Sequence, residues 1–251
     1  MSIPSFRLDG KRALITGAGK GIGAAAAEAL AAFGAEVTLV ARTRADIEGV
    51  AAAIDAAGGK ASWKVADVTD KAAITALIED GETNDILVNN AGMNRTDTFV
   101  DVKEEDFDAI YALNVRACFF TAQAFARRLL REGRKGSIVN MSSQMGHVGA
   151  ATRSVYCGTK WAIEGMTKAT AVDLAPAGIR VNTVCPTFVE TPMASGFLKS
   201  DAFKAEVLSK IKLGRIGTVG DITGAVVFLA SDASALMTGS SIVVDGGWTA
   251  D

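Results

Sequence analysis

The sequence predicts an α/β fold, with a parallel β-sheet between two layers of helices. Three observations lead to this prediction. Strand and helix patterns alternate along all 251 residues, which requires crossover connections between parallel strands. Several strand segments are apolar throughout, as burial on both faces of a sheet demands. No change in composition, proline-rich linker or repeat divides the chain, so we expect one domain over residues 1–251.

The composition excludes several classes of function. With 49% hydrophobic residues the chain can build a large core, and a formal net charge of −2 argues against nucleic acid as a partner. No apolar run is long enough to cross a membrane, and residues 1–9 lack a secretory signal, so we expect a cytoplasmic protein. Cys118, Cys157 and Cys185 lack the spacing of a disulfide framework or a metal site. The single histidine, His147, argues against a zinc site and against a Ser-His-Asp triad.

The first strand, loop and helix are the most informative stretch. Residues 12–16 are a short apolar run typical of a buried strand, and residues 22–33 are an alanine-rich run typical of a helix. Between them lies the segment Thr16-Gly-Ala-Gly-Lys-Gly-Ile-Gly23. Its glycines allow a sharp turn, and the N–H groups at the start of the helix favour a bound anion such as a phosphate. An ordinary tight connection is the alternative.

The remaining elements follow in the same alternation. Runs rich in Val, Ile and Leu predict strands at residues 36–41, 62–66, 85–89, 136–141, 179–184 and 241–245. Alanine-rich or amphipathic runs predict helices at residues 46–57, 71–79, 104–131, 154–174, 193–213 with a break, and 222–229. Asp101 or Thr98 is the expected N-cap of the long helix at 104–131. Because ligands bind at the carboxyl ends of parallel strands, the loops at that edge belong together.

The loop after the second strand indicates the nucleotide that such a site would take. An NAD site usually carries an acid here, whereas this chain has Arg42-Thr43-Arg44. Arg42 could hold a 2′-phosphate, and Lys20 in the glycine loop could add a second positive charge. Cations at the start of a helix are otherwise unfavourable, so we favour NADP over NAD. Solvated residues that begin a helix are the alternative.

The next two loops are open to two interpretations each. Asp67, followed by Val68, could accept a hydrogen bond from an adenine amino group, or it could cap the following helix, as could Asp70. The turn Asn89-Asn90-Ala91-Gly92 could face a cofactor or be an ordinary loop.

A tyrosine and a lysine follow the fifth strand at helical spacing. Tyr156 and Lys160 lie at positions i and i+4, which places them on one helix face. A tyrosine with a pKa near 10 needs a nearby cation to act as an acid or base at neutral pH, and Lys160 could supply it. A serine hydroxyl at the end of the fifth strand, from Ser142 or Ser143, could hold a substrate oxygen.

Taken together, these motifs resemble the short-chain dehydrogenase/reductase family over essentially the whole chain. The matching pieces, in the family's order and spacing, are Thr16-Gly-x-x-x-Gly-x-Gly23, Asn89-Asn-Ala-Gly92, Asn114, Ser143, Tyr156-x-x-x-Lys160 and Pro186 with Thr191. The resemblance implies a single Rossmann-like domain with a seven-stranded sheet. It also implies an enzyme that transfers a hydride between NADP(H) and the carbonyl or secondary alcohol of a small polar substrate.

The family resemblance also implies roles for individual residues. Tyr156 would be the catalytic acid–base, Lys160 would hold the nicotinamide ribose, Ser143 would orient the carbonyl, and Asn114 would bind a water of a proton relay. Asn90 would contact the ribose, and Val189 and Thr191 would contact the nicotinamide carboxamide. The cofactor-binding residues expected are Gly17, Gly19, Lys20, Gly21, Ile22, Gly23, Arg42, Thr43, Asp67, Val68, Asn90, Tyr156, Lys160, Val189 and Thr191.

Within the family, several segments resemble the tetrameric L-xylulose reductase branch, which reduces dicarbonyl compounds. That branch shares Thr187, where most of the family has glycine after the proline. Here Arg153 replaces a neutral or weakly basic residue, and it would favour a carboxylate or phosphate on the substrate unless it points to solvent. Ser143, Gln144, Arg153 and Tyr156 are the expected substrate-binding residues. A sugar, a sugar derivative or a dicarbonyl compound is the expected substrate.

Three other functions stay open at this stage. They are a sugar-acid dehydrogenase resembling gluconate 5-dehydrogenase, a 3-oxoacyl carrier-protein reductase, and a non-catalytic dinucleotide-binding regulator. Residues 190–213 fall where the family has its substrate lid, in which Phe197, Leu198 and Phe203 could close over the substrate. The family implies a homotetramer built through the two long helices. We expect His147 at the rim of the pocket or on the surface and Cys157 in packing.

Overall fold

The predicted strands form one parallel sheet in a computed structural model, which describes residues 4–196 and 199–250. The strands are β1 (Arg12–Thr16), β2 (Glu36–Ala41), β3 (Lys60–Val65), β4 (Ile86–Asn89), β5 (Gly136–Met141), β6 (Ile179–Pro186) and β7 (Ser241–Val244). Their order across the sheet is β3-β2-β1-β4-β5-β6-β7, and each neighbouring pair is parallel. The α/β fold with seven parallel strands is therefore confirmed.

Helices connect the strands and cover both faces of the sheet. They are α1 (Gly21–Ala32), α2 (Arg44–Ala56), α3 (Lys71–Asp80), α4 (Glu104–Tyr111), α5 (Cys118–Arg131), α6 (Ser154–Leu174), α7 (Pro192–Ser195), α8 (Asp201–Lys210) and α9 (Val219–Ala230). A π-helical turn at Ala112–Ala117 joins α4 to α5 without a break in the chain's helical course. Short 3₁₀ turns follow β5, α6 and α9, and another lies at 248–250.

The sheet buries both of its faces, as the apolar strands predict. Successive side chains of a strand point to opposite faces. Ile15 and Val88 accordingly pack in one apolar cluster with α1, α2 and α9, whereas Leu14 and Leu87 pack in the other with α3, α5 and α6. All four side chains are buried, so β1 and β4 form the centre of the core.

The strand order reverses between β1 and β4. From β1 the chain first builds outward through β2 and β3, and it then returns to place β4 on the other side of β1. The connections that leave β1 and β4 diverge at this point, which opens a crevice at the carboxyl edge of the sheet. Thr16, Asn89 and Met141 end their strands at this edge.

Several boundaries differ from the predictions for physical reasons. The helix predicted at 104–131 contains the π-helical turn, which apolar periodicity does not reveal. The predicted N-cap is wrong: α4 begins after Lys103, whereas the hydroxyl of Thr98 donates to the carboxylate of Asp101 within the preceding turn. The segment 193–213 divides into α7 and α8, and Phe197 and Leu198 lie outside the described residues.

The basic cluster near the end of α5 is a set of ion pairs. Arg128 and Arg131 both pair with Glu79 on α3, and Arg134 lies 2.6 Å from Asp85. These contacts lie at the amino edge of the sheet, before β4 and β5, so the cluster stabilises the fold away from the crevice. Within residues 4–196 and 199–250, no helix combines the length and apolar character needed to cross a membrane.

Candidate active site

An open cleft lies at the crevice between the β1 and β4 connections. It brings together residues that are far apart in the sequence. The predicted site residues that line it are Ile22, Asn90, Ser143, Gln144, Arg153, Tyr156, Lys160, Val189 and Thr191. The glycines of the first loop and the residues after β2 and β3 are not part of this lining, but they lie at the same edge of the sheet.

Gly17 and Gly23 of the glycine loop pack too closely on their neighbours to be replaced by residues with side chains. Gly17 adopts a positive φ of 64°, which favours glycine. A Cβ atom on Gly23 would lie 2.3 Å from the Gly17 carbonyl oxygen and 2.4 Å from Asn90 Nδ2. Helix α1 can therefore begin directly against the end of β1. The first N–H groups of such a helix have no partner within it, so they can bind an anion.

Asn90 holds the glycine loop in place. Its Nδ2 donates to the carbonyl oxygens of Thr16 and Gly17, each at 3.1 Å. The Thr16 hydroxyl accepts the backbone N–H groups of Asn90 and Ala91 at 3.1 and 3.2 Å. The Asn90 amide was predicted to contact a ribose. In the structure, its Nδ2 also fixes the spacing between the two loops of the crevice.

The cations after β2 and in the glycine loop take different positions. Arg42 is 77% exposed, and its guanidinium lies 3.9 Å from Asp67, while Lys20 pairs with Asp46 at 3.0 Å. Arg44 turns away, pairs with Glu48 and lies over the ring of Trp63. Of the two arginines, Arg42 is therefore the one beside the crevice, with the exposed Thr43 next to it in sequence.

The choice between Asp67 and Asp70 as the cap of α3 is resolved. Asp70 accepts the N–H groups of Ala72 and Ala73 at 2.9 and 3.1 Å and is the cap. Asp67 accepts the N–H and hydroxyl of Thr69 at 2.9 and 2.7 Å. Burial opposes the ionisation of Asp67, but these hydrogen bonds and Arg42 hold its pKa below the ordinary value. Asp67 is thus an anion at neutral pH, next to the buried Val68.

Tyr156, Lys160 and Ser143 meet in the cleft. The ammonium of Lys160 lies 5.5 Å from the centre of the Tyr156 ring and donates to the Met141 carbonyl at 2.8 Å. Ser143 Oγ accepts the Met145 N–H at 3.1 Å and lies 3.1 Å from Gln144 Oε1. This hydroxyl is thereby oriented from two sides, and a cation lies beside the phenol.

Asn114 lies in the π-helical turn and connects the loop after β4 to α6. Its Oδ1 accepts the Met93 N–H, and its Nδ2 donates to the Met93 carbonyl, both at 2.9 Å. Nδ2 also lies 3.2 Å from the hydroxyl of Thr159, one residue before Lys160. The side chain therefore positions α6 relative to the cleft, and its role in a proton relay stays a prediction.

Arg153 does not point to solvent. Only 8% of the residue is exposed, and it lines the cleft. Its guanidinium carbon lies 5.7 Å from the ring centre of Phe188 and 5.2 Å from that of Phe203. Burial lowers the pKa of Arg153 from its ordinary value, but the arginine side chain stays charged at neutral pH. The side chain thus brings a desolvated positive charge to the cleft.

Two polar residues of the cleft were not selected from the sequence as binding residues. Among the described residues, the side-chain oxygens of Asn94 and Thr187 are buried and have no hydrogen-bond partner. Both line the cleft. Asn94 belongs to no sequence motif and lies two residues after Gly92. Thr187 differs from the glycine that most of the family has at this position. Neither signal indicated that a side chain would be buried without a partner.

His147 is not part of the cleft lining, and its side chain is partly exposed. Its Nε2 lies 3.3 Å from Cys185 Sγ, and the thiol lies 3.3 Å from Glu164 Oε1. Burial opposes the ionisation of Glu164, but hydrogen bonds from Ser241, Thr183 and others hold its pKa below the ordinary value. Burial also raises the pKa of Cys185 to about 12. Both side chains support the junction of α6 and β6. Cys157 is buried and lies outside the cleft lining, as expected.

Comparisons with known proteins show the family of the chain. A family model described as Enoyl-(Acyl carrier protein) reductase matches residues 17–249. L-xylulose reductase of Bos taurus is 42% identical over 98% of this chain and 99% of its own. Gluconate 5-dehydrogenase of Gluconobacter oxydans is 37% identical over 99% of both chains.

Solved structures share the fold over the same extent. The crystal structure of a gluconate 5-dehydrogenase from Burkholderia cenocepacia in complex with NADP and tartrate has a TM-score of 0.93 and 35% identity, covering 98% of each chain. The similarity in sequence and the similarity in fold thus both extend over nearly the whole chain. The chain therefore belongs to the short-chain dehydrogenase/reductase family and is an oxidoreductase of that family.

Proposed function

We propose that this enzyme transfers a hydride between NADP(H) and the carbonyl or secondary alcohol of a small polar compound derived from a sugar. The observation that carries the proposal is the meeting of Tyr156, Lys160 and Ser143 in one cleft, beside the glycine loop of α1. The similarity to reductases and dehydrogenases of sugars and sugar acids supports the substrate class. The similar protein from Burkholderia cenocepacia, crystallised with NADP, supports the cofactor.

The residues at the crevice fit a dinucleotide. The phosphates of the dinucleotide would lie at the N-terminus of α1. Room for them exists there because Gly17 and Gly23 carry no side chains. Arg42 and Lys20 would hold the 2′-phosphate, and Asp67 would accept from the adenine. Ile22, Val189 and Thr191 line the cleft where the nicotinamide would lie, although the Thr191 hydroxyl also accepts the Ala194 N–H at 3.3 Å.

The nicotinamide, when bound, supplies or accepts the hydride. The protein's part is positioning and proton transfer. Tyr156 would donate a proton to the carbonyl oxygen during reduction and take it back during oxidation. Lys160, 5.5 Å from the ring centre, favours the charged phenolate electrostatically. Ser143 would hold the same oxygen through its oriented hydroxyl, so that the carbonyl carbon faces the hydride.

Two of the other functions considered, a carrier-protein reductase and a non-catalytic regulator, are less well supported. A carrier-protein reductase needs a basic docking surface near the cleft, but the arginines near the end of α5 are paired with acids at the opposite edge of the sheet. A non-catalytic regulator has no need for the combination of Tyr156, Lys160 and Ser143. These residues are present and meet in the cleft, which favours an enzyme.

Replacing Tyr156 tests the chemistry directly. Tyr156→Phe removes only the hydroxyl, and we expect turnover to fall by about 10²- to 10⁴-fold, the usual contribution of a general acid or base. The assay is NADPH oxidation with a panel of ketoses, dicarbonyl compounds and keto acids, and NADPH binding should be unchanged. Tyr111→Phe is the matched control, because Tyr111 stacks on Phe107 outside the cleft lining. Unchanged turnover in Tyr156→Phe would exclude the proposed role.

Replacing Arg42 tests the nucleotide preference. The wild-type enzyme should bind NADPH more tightly than NADH, because Arg42 and Lys20 add positive charge beside the ribose. Arg42→Ala should weaken NADPH binding by about 10-fold, the value of one charge-assisted hydrogen bond, and leave NADH binding unchanged. Arg44→Ala is the control, since Arg44 turns toward Glu48 and Trp63. Fluorescence titration measures the affinity of each protein for NADPH and for NADH. Equal binding of NADH and NADPH by the wild-type enzyme would contradict the assignment.

Filling the glycine loop tests the phosphate cradle. A Cβ atom in Gly23→Ala would clash with the Gly17 carbonyl, so the loop must open and NADPH binding should fall by at least about 10-fold through lost loop contacts. Gly49→Ala is the control, because no atom lies within 4 Å of its Cβ position on α2. That variant should bind NADPH normally. Calorimetric titration of both variants with NADPH measures the two affinities. Normal binding by Gly23→Ala would argue against the phosphate cradle.

We also infer that the enzyme is a cytoplasmic homotetramer. Large apolar side chains are exposed on the two long helices, namely Phe119 on α5 and Trp161 and Val172 on α6. Contact between copies through these helices would bury them. Light scattering after size-exclusion chromatography should show four chains per particle. A monomer at micromolar concentration would contradict the inference.

A further inference from the structure

Three side chains with metal-binding atoms meet outside the cleft lining. His147 ends the short turn after β5, Glu164 lies on α6, and Cys185 lies on β6. Their ligand atoms, an imidazole nitrogen, a carboxylate oxygen and a thiol sulfur, all lie within 4.8 Å of one another. The proposed hydride and proton transfer uses none of the three. These are the ligand types with which proteins bind zinc.

We propose that His147, Glu164 and Cys185 bind one Zn²⁺ ion, with a water molecule as the fourth ligand. The ion would join the turn after β5 to α6 and to β6. On binding, Zn²⁺ replaces the proton of the Cys185 thiol, and that proton passes to the solvent. The site goes beyond the proposed function, because neither hydride transfer nor NADP binding depends on it.

This proposal reverses an expectation from the sequence. A single histidine argued against a zinc site, and the cysteines lack the spacing of a metal-binding motif. The three ligands of the proposed site come instead from three different elements of the fold. Only the parallel packing of β5 and β6, with α6 between them in the chain, brings these elements together.

The distances between the three atoms suit a single small ion. Cys185 Sγ lies 3.3 Å from both His147 Nε2 and Glu164 Oε1, and the last two atoms are 3.9 Å apart. The point equidistant from the three atoms lies about 2 Å from each, whereas Zn–N and Zn–O bonds are about 2.0–2.2 Å and a Zn–S bond is about 2.3 Å. The ion therefore fits between the three atoms with only small shifts of the side chains.

The charge of Glu164 gives a second reason for a bound cation. Burial opposes its ionisation, but hydrogen bonds hold its pKa below the ordinary value, and only 6% of the residue is exposed. Within residues 4–196 and 199–250, no lysine or arginine nitrogen lies within 4.0 Å of this carboxylate, and His147 is its nearest basic group. Buried charges in proteins are normally paired or coordinate a metal. A bound Zn²⁺ ion would supply the opposite charge.

Neighbouring groups orient the carboxylate and leave a path for the ion. The hydroxyls of Thr183 and Ser241 donate to Oε2 of Glu164, whereas Oε1 faces the thiol of Cys185. Such hydrogen bonds to the outer atom of a ligand fix its direction and raise metal affinity. The His147 side chain is 31% exposed, so the ion and its water molecule can approach from the solvent on this side.

Titration of the untagged chain with metal ions tests the site. Protein freed of metal with a chelator, which is then removed, is titrated with ZnCl₂ in a calorimeter. We expect one Zn²⁺ per chain with a Kd of about 1 μM or tighter. Zinc at 100 times its Kd should raise the Tm by about 5 °C. MgCl₂ should show no binding at the same concentrations, because Mg²⁺ prefers oxygen ligands.

Variants and cobalt assign the binding to these side chains. His147→Gln should lower the zinc affinity by at least about 10-fold. Co²⁺ bound in place of Zn²⁺ should show the charge-transfer absorption of a cobalt–thiolate bond, and Cys185→Ala should abolish it. Cys157→Ala is the matched control, because Cys157 is also a buried thiol but lies outside the cluster. That variant should bind both ions as the wild-type protein does.

Three results would overturn the inference. They are a Kd for zinc weaker than about 100 μM, an equal zinc affinity of the wild-type protein and His147→Gln, and a cobalt complex without the thiolate absorption. His147→Gln changes a partly exposed side chain, so it tests the site even where Cys185→Ala does not fold. The Tyr156→Phe experiment tests the proposed function separately, and that function stands whether or not zinc binds.

Discussion

The contact between the glycine loop and Asn90 is the constraint on which the rest of the site depends. The side-chain amide of Asn90 donates to the successive carbonyls of Thr16 and Gly17, and no Cβ atom fits at Gly23 beside them. The ends of β1 and β4 are thereby held at a fixed spacing. Because α1 leaves from one strand end and the loop to α4 leaves from the other, this spacing sets the width of the crevice. A wider or a narrower crevice would misalign the groups that approach it from α6.

Polar contacts of helix α6 hold Tyr156 and Lys160 in a fixed position relative to the crevice. Lys160 donates to the Met141 carbonyl at the end of β5, and Glu164, one turn later, accepts from Thr183 on β6. Thr159 on the same helix contacts Asn114. These three contacts tie α6 to two strands and to the π-helical turn, so the helix cannot slide or rotate without breaking hydrogen bonds. These contacts fix the position of Tyr156.

The parts of the structure that follow from local periodicity and order were predictable, and the parts that depend on burial were not. The seven strands and the pairing of Tyr156 with Lys160 need only neighbouring residues, so the sequence specifies them directly. The π-helical turn around Asn114 is set by contacts with the loop after β4, which no periodicity encodes. The side-chain direction of Arg153 depends on the φ angle of Thr152, one residue earlier. Burial of the Asn94 oxygen depends on the folded cleft as a whole.

This division has a consequence for how the site works. The groups proposed for proton transfer lie on α6 and at a strand end, where hydrogen bonds to the sheet hold them. Other residues that line the cleft, Arg153, Phe188 and Thr187, lie in loops and at the beginning of a helix. The buried Arg153 cation loses most of its hydration, and aromatic faces and the Ala151 carbonyl, which accepts from Nη1 at 3.2 Å, replace part of it. The sheet and α6 therefore hold Tyr156 and Lys160 in place, whereas the loops bring a buried positive charge to the cleft.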